Sequence, residues 1–226
     1  MRLQQRLLIL GGFMLAPLAV FAMPAAYQEF LEVMAARPDL DRGANYFMTC
    51  AACHGSTGGG TVSGEFPRIG GQYYAVLARQ LVAFRHGQRW DLRMENFADR
   101  HRLADAQAIA DVAAYVSELE DPSPPGVGNG ALVAQGASIY FRLCESCHGA
   151  SGQGDATQGV PKIGGQHYEY LRRQIYNAVN GRRPEFPASH VSLLARLDHE
   201  DIAGVADYLS RIAPRHAGPQ VIPAAR

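Results

Sequence analysis

The sequence predicts an all-α protein made of two similar small domains in tandem, and three observations carry that prediction. Sliding the chain along itself by 94 residues, Cys50 onto Cys144, brings its halves into register. Apolar residues recur at helical spacing in both halves, and strand-like alternation is absent. A stretch dominated by proline and glycine separates the copies, which marks a linker rather than a packed element. A chain of 226 residues accommodates two such domains.

The repeat is dense. Tyr46-Phe47 meets Tyr140-Phe141, and Cys50-Ala51-Ala52-Cys53-His54-Gly55 meets Cys144-Glu145-Ser146-Cys147-His148-Gly149. Pro67-Arg68-Ile69-Gly70-Gly71-Gln72 meets Pro161-Lys162-Ile163-Gly164-Gly165-Gln166. Gln80, Gly87 and Leu103 meet Gln174, Gly181 and Leu197; the register then slips by one, so the first copy carries one extra residue after Leu103.

Each element follows from its pattern. Residues 1–22 read as a cleaved signal peptide: Arg2 and Arg6 precede an uncharged apolar run from Leu7 to Val20, ending in Val20-Phe21-Ala22. The run is short for a membrane span, and no later segment is apolar enough for one. Residues 23–121 form the first domain, 122–130 the linker and 131–226 the second domain. Tyr27 to Ala36 predicts a short helix outside the repeat, either a docking element or a brace. Tyr74, Leu77, Leu81 and Phe84 predict a helix that Tyr168, Leu171, Ile175 and Ala178 repeat. Ile109, Val112, Ala113, Val116 and Leu119 stripe a closing helix, matched by Ile202, Val205, Ala206, Leu209 and Ile212. Asp198, three residues before Asp201, marks the start of the second closing helix. Units this small and glycine-rich struggle to build a core from side chains alone, which a large apolar cofactor at the centre would remedy.

Lys+Arg and Asp+Glu both number 21, so no basic excess points to nucleic acid. All four cysteines fall in two Cys-x-x-Cys-His motifs, the attachment signature of c-type haem. Two thiols add to the haem vinyl groups, and the adjacent imidazole faces the iron. Cys50, Cys53 and His54 hold one haem; Cys144, Cys147 and His148 hold the other. Two disulfides, a four-cysteine zinc site and redox dithiols also use even cysteine counts, but none requires a histidine after each second cysteine.

The tandem motifs, the Pro-x-Ile-Gly-Gly-Gln segments and the closing Ala-Asp-Val-Ala-Ala-Tyr and Val-Ala-Asp-Tyr helices resemble the dihaem cytochrome c4 family over residues 42–213. The resemblance implies two class I cytochrome c domains packed face to face, each a small helical fold around one covalent haem. It also implies that the carbonyls of Pro67 and Pro161 accept a hydrogen bond from the proximal histidines, a contact that fixes the ring and tunes the metal.

The same resemblance implies a methionine as sixth ligand, on a loop before each closing helix. Met94 is the only methionine after the motif in the first half and is the expected ligand, with His101 and then His86 as alternatives. The second half has no methionine, so it departs from the family. His190, seven residues before Leu197, lies where the methionine belongs and is the expected ligand; His167, His199 and His216 are weaker alternatives, and an open site is the remaining one. Because a thioether raises haem potential relative to a second imidazole, the first haem is expected at high and the second at low potential. Arg79, Arg85, Arg89, Arg93, Arg172, Arg173, Arg182 and Arg183 cluster between motif and closing helix; some can neutralise propionates, and most read as solvated helix faces.

The expectation is a periplasmic carrier with two covalent haem c groups and no catalytic residue. It moves electrons between redox proteins: a periplasmic or membrane-bound donor, and an oxidase or reductase acceptor. The alternatives are a two-haem oxidoreductase, resembling thiosulfate dehydrogenases or haem peroxidases, or an electron-transfer subunit of a larger complex. The first of these uses a cysteine as an axial ligand, and here attachment consumes all four.

Overall fold

A computed structural model describes residues 23–212 and 222–223; the signal segment and His216 lie outside them. Among the described residues there are ten helices and, in place of strands, one isolated bridge between Asp155 and Val160. The first half contains α1 (Ala25–Ala35), α2 (Leu40–His54), α3 (Tyr74–Arg85), α4 (Leu92–Ala98) and α5 (Ala106–Glu118). The second contains α6 (Val133–Leu143), α7 (Glu145–His148), α8 (Tyr168–Val179), α9 (Ala188–Leu194) and α10 (His199–Arg211). Aspartates begin several of them. Asp39, Asp91 and Asp105 accept N-terminal amides, and Asp198 forms a reciprocal capping box with Asp201.

The motif helix crosses the closing helix in both halves, and glycine allows the approach. A Cβ on Gly43 would stand 2.3 Å from the Asp111 carbonyl oxygen, and one on Gly136 only 1.9 Å from that of Gly204. Around these crossings the predicted stripes are buried. Ile109, Val112, Ala113 and Val116 join Phe47 and Tyr74 in one core; Val205, Ala206 and Leu209 join Ile139 and Tyr140 in a smaller one.

The halves differ where a simple offset aligns them. Phe47 stacks on Tyr115 and Tyr140 on Tyr208, each at 5.5 Å. Phe141 also lies 5.8 Å from Tyr208 but is exposed, whereas Tyr140 is buried like Phe47, so burial equates Phe47 with Tyr140. One more residue separates Gly136 from Cys144 than Gly43 from Cys50. The chain absorbs it by interrupting the motif helix at Cys144, between α6 and α7, where α2 runs unbroken.

The N-terminal helix is a brace. Val33 is fully buried, and Tyr74 donates to its carbonyl. Glu29 is buried and accepts from Arg85, His86 and Arg100. The proline-glycine segment is also held in place: buried Asp207 accepts the Gly128 and Gly130 amides.

The halves meet about an approximate two-fold relation. Tyr73 donates to the Gln153 carbonyl and His167 to that of Gly59. Arg79 reaches the Gly159 carbonyl and Arg173 those of Gly64 and Glu65. Arg89 and Arg183 each bond to both Gln80 and Gln174. These arginines are thus structural cross-links rather than the solvated faces expected from sequence. Arg85 is likewise buried on Glu29, whereas Arg93 fits the expectation, exposed beside Glu65.

Candidate haem centres

Each motif ends a helix, so its last turn presents two thiols and an imidazole together. His54 and Cys50 lie on the buried side of α2. His54 Nδ1 donates to the Pro67 carbonyl at 3.0 Å, and His148 Nδ1 to that of Pro161 at 3.2 Å. The expected proline contacts are therefore present twice. Each bond commits Nδ1 and leaves Nε2 as the nitrogen for a metal.

The donor set suits haem attachment and disfavours its competitors. Burial pushes the Cys50 and Cys144 thiols up to about 11, so neither is the thiolate that a reactive dithiol needs. No disulfide joins the four cysteines. Among the described residues no group of three or more His, Cys, Asp and Glu side chains converges on one point, so the motifs do not pool into a four-cysteine site. Burial also lowers the pKa of His54 and His148, against the pull of their proline carbonyls. Both rings stay neutral, the form that binds iron.

The two centres are not alike. His54 is 6% exposed, with Phe66 packed edge-on at 6.2 Å. His148 is only half-buried, and Cys147 is exposed.

The helices before the closing helices carry the expected sixth ligands. Met94 is the third residue of seven-residue α4, and His190 the third of seven-residue α9. The second copy has two extra residues before this helix and three fewer after it, which is why no single offset pairs them. Asp91 caps α4 and accepts the Met94 amide at 3.2 Å. Arg93, the residue before Met94, lies over the Phe66 ring at 4.8 Å, and Phe66 is the ring packed against His54. In the second half the His190 and His148 ring centroids stand 6.3 Å apart. Phe186 lies against His190 at 4.9 Å, with Arg183 over the Phe186 ring. Burial and the Arg183 charge lower the His190 pKa, so this ring is neutral as well.

The other described histidines are engaged elsewhere. His86 bonds Glu29, exposed His101 bonds Asp99, and His199 bonds the Tyr176 hydroxyl. His167 is buried between the Gly59 carbonyl and the Gly126 amide. Sequence reasoning passed over Gln72 and Gln166, which cross between the halves beside the proline carbonyls; their only signal was the repetition of Gly-Gly-Gln.

Comparison with known proteins agrees with this geometry. The family model for cytochrome c matches twice, over residues 40–120 and 133–213. A cytochrome c4 of Pseudomonas aeruginosa is 32% identical over 170 residues, covering 71% of this chain and 82% of the relative. A protein of Stutzerimonas stutzeri described as a thiosulfate dehydrogenase electron acceptor is 29% identical over 181 residues, covering 76% and 82%. The crystal structure of reduced recombinant cytochrome c4 from Pseudomonas stutzeri matches with a TM-score of 0.69 at 27% identity, covering 77% of this chain and 99% of that one. Two tandem matches and relatives covered over most of their length place this chain in the cytochrome c family, among the two-haem cytochromes c4 that transfer electrons.

Proposed function

We propose that this cytochrome holds two unequal haems, with His54 and Met94 at the first iron and His148 and His190 at the second, and that electrons pass from the second to the first. Each covalent haem supplies a site where one electron is gained or lost. The chain does the rest. Its cysteines fix each group in place, the proline carbonyls aim the proximal rings, and the sixth ligand sets the level.

The spacing of His148 and His190 carries this reading. Two imidazoles on opposite sides of one metal, each bonded at about 2 Å, have ring centroids roughly 6 Å apart, and these rings stand 6.3 Å apart. The matched place of Met94 in α4 extends the argument to the first half. Burial adds to the ligand effect, because a low-dielectric surround favours the less charged reduced form, and the first proximal ring is the more buried.

The site of action is the periplasm. No helix among the described residues is long and apolar enough to cross a membrane, and the sequence of residues 1–22 reads as an export signal. The donor is a periplasmic or membrane-bound dehydrogenase, as the relative described as the electron acceptor of thiosulfate dehydrogenase suggests. The acceptor is an oxidase or reductase. Such partners dock weakly over small surfaces. A redox titration tests the reading. Two resolved potentials are expected, the higher belonging to the haem on Cys50 and Cys53; two coincident potentials would sink the proposal.

A further inference from the structure

We infer that Gln72 and Gln166 are positioning residues that act across the domain interface, each tuning the haem of the other domain through the peptide behind its proximal histidine. The inference rests on His54 and His148 as iron ligands.

The geometry is reciprocal. The Pro67 carbonyl that accepts from His54 belongs to the same peptide unit as the Arg68 amide, and that amide donates to Gln166 Oε1 at 3.0 Å. Gln166 Nε2 returns a bond of 2.8 Å to the Arg68 carbonyl. In the other half, the Pro161 carbonyl accepts from His148, and the Lys162 amide on the same peptide donates to Gln72 Oε1 at 3.0 Å. Gln72 Nε2 donates to the Lys162 carbonyl at 2.9 Å. Each glutamine oxygen also accepts the amide of the following residue, Tyr73 or His167, which fixes its orientation. Gln166 is buried, at 9% exposure.

A peptide whose N–H is bonded has a more negative carbonyl oxygen, because hydrogen bonds in a chain polarise one another. A stronger acceptor draws the Nδ1 proton and makes the imidazole a better donor to iron. That stabilises the oxidised state and lowers the potential. Gln166, a residue of the second half, therefore lowers the potential of the first haem, and Gln72 lowers that of the second. Closing the interface sets both levels. A strengthening of about 10–30% per bond leads us to expect about a threefold change in the oxidation equilibrium, or about 30 mV for one electron.

The test is the pair Gln166→Met and Gln72→Met in the full two-haem protein. Potentials are read by NMR during a redox titration, with each haem assigned through contacts to its own cysteine side chains. The assignment is then independent of the sixth ligands. Gln166→Met is expected to raise the haem on Cys50 and Cys53 and leave the other unchanged; Gln72→Met is expected to do the reverse. Gln166→Glu, which keeps the acceptor, is expected to hold the first haem at or below its original potential. Equal shifts at both haems would mean an opened interface and overturn the inference, as would no shift, a shift at the glutamine's own haem, or a rise in the Glu variant. Missing hyperfine shifts on the His54 or His148 ring protons in the same spectra would instead overturn the ligand assignment beneath it.

Discussion

Glu29→Gln should destabilise the first domain by about 3 kcal/mol, the lower end of the roughly 3–5 kcal/mol for removing one partner of a buried ion pair. The Glu29 and Arg85 side chains are each 4% exposed and meet at 2.5 Å. Arg85 keeps its bonds to the Ala98 and Leu103 carbonyls in the variant, which places the loss at the lower end. For a domain of this size the loss lowers the midpoint of thermal unfolding by roughly 12–24 °C. Calorimetry of the holoprotein reads it, and the transition of the second domain stays in place. Arg100→Ala is the control: its side chain is 61% exposed, so its loss is worth less than about 1 kcal/mol. The pH dependence has a definite sign. Burial alone would raise the Glu29 pKa, but hydrogen bonds from His86 and Arg85, with the charges of Arg85 and Arg100, hold it below the ordinary 4.5. A carboxylate depressed by folding contributes its stability above the unfolded value and loses it as pH falls through the folded one. The gap between wild type and Glu29→Gln is therefore full above pH 4.5 and narrows below it. Arg85 also ties down the carbonyl of Ala98, the last residue of the methionine helix. Because that bond survives in the variant, the charge-transfer absorption of methionine-ligated ferric haem should persist. A midpoint within 2 °C of wild type, or a gap that widens in acid, would show that the Glu29 carboxylate does not hold the domain together.

Replacing His190 by Ala should convert the second haem to a high-spin form that binds cyanide, seen by optical titration, while the first haem keeps its spectrum. Replacing His190 by Met should raise the second potential, and Met94→His should lower the first, in potentiometric titration. Gly136→Ala would force a Cβ to 1.9 Å from the Gly204 carbonyl oxygen, and chemical denaturation should show at least the 1–3 kcal/mol loss typical of overpacking.

Most of the fold was legible because the repeat exposed it. Two closing stripes, two motif helices and two glycine-rich loops recur in one order, and each stripe is buried where the 3.6-residue period puts it. The attachment signature was equally plain, since Cys-x-x-Cys-His is local and spans only five residues. The long-range contacts were not legible. His167 looked like a spare ligand and is a pin between the halves, because nothing in sequence tells which carbonyl a buried ring meets. Arg79, Arg85, Arg89, Arg173 and Arg183 looked like solvated faces for the same reason. The match between Met94 and His190 was hidden by unequal loops on either side of α4 and α9, which shift the register twice in opposite senses. The interruption at Cys144 was masked by Tyr140 and Phe141, because either aromatic could have filled the place that Phe47 holds.

Whether the two irons carry different ligand sets is read by near-infrared magnetic circular dichroism of the oxidised holoprotein, because it counts methionine-ligated, bis-histidine and high-spin haems separately. One methionine-ligated and one bis-histidine haem are expected. A high-spin second haem, or two haems of the same kind, would contradict the proposed ligand sets.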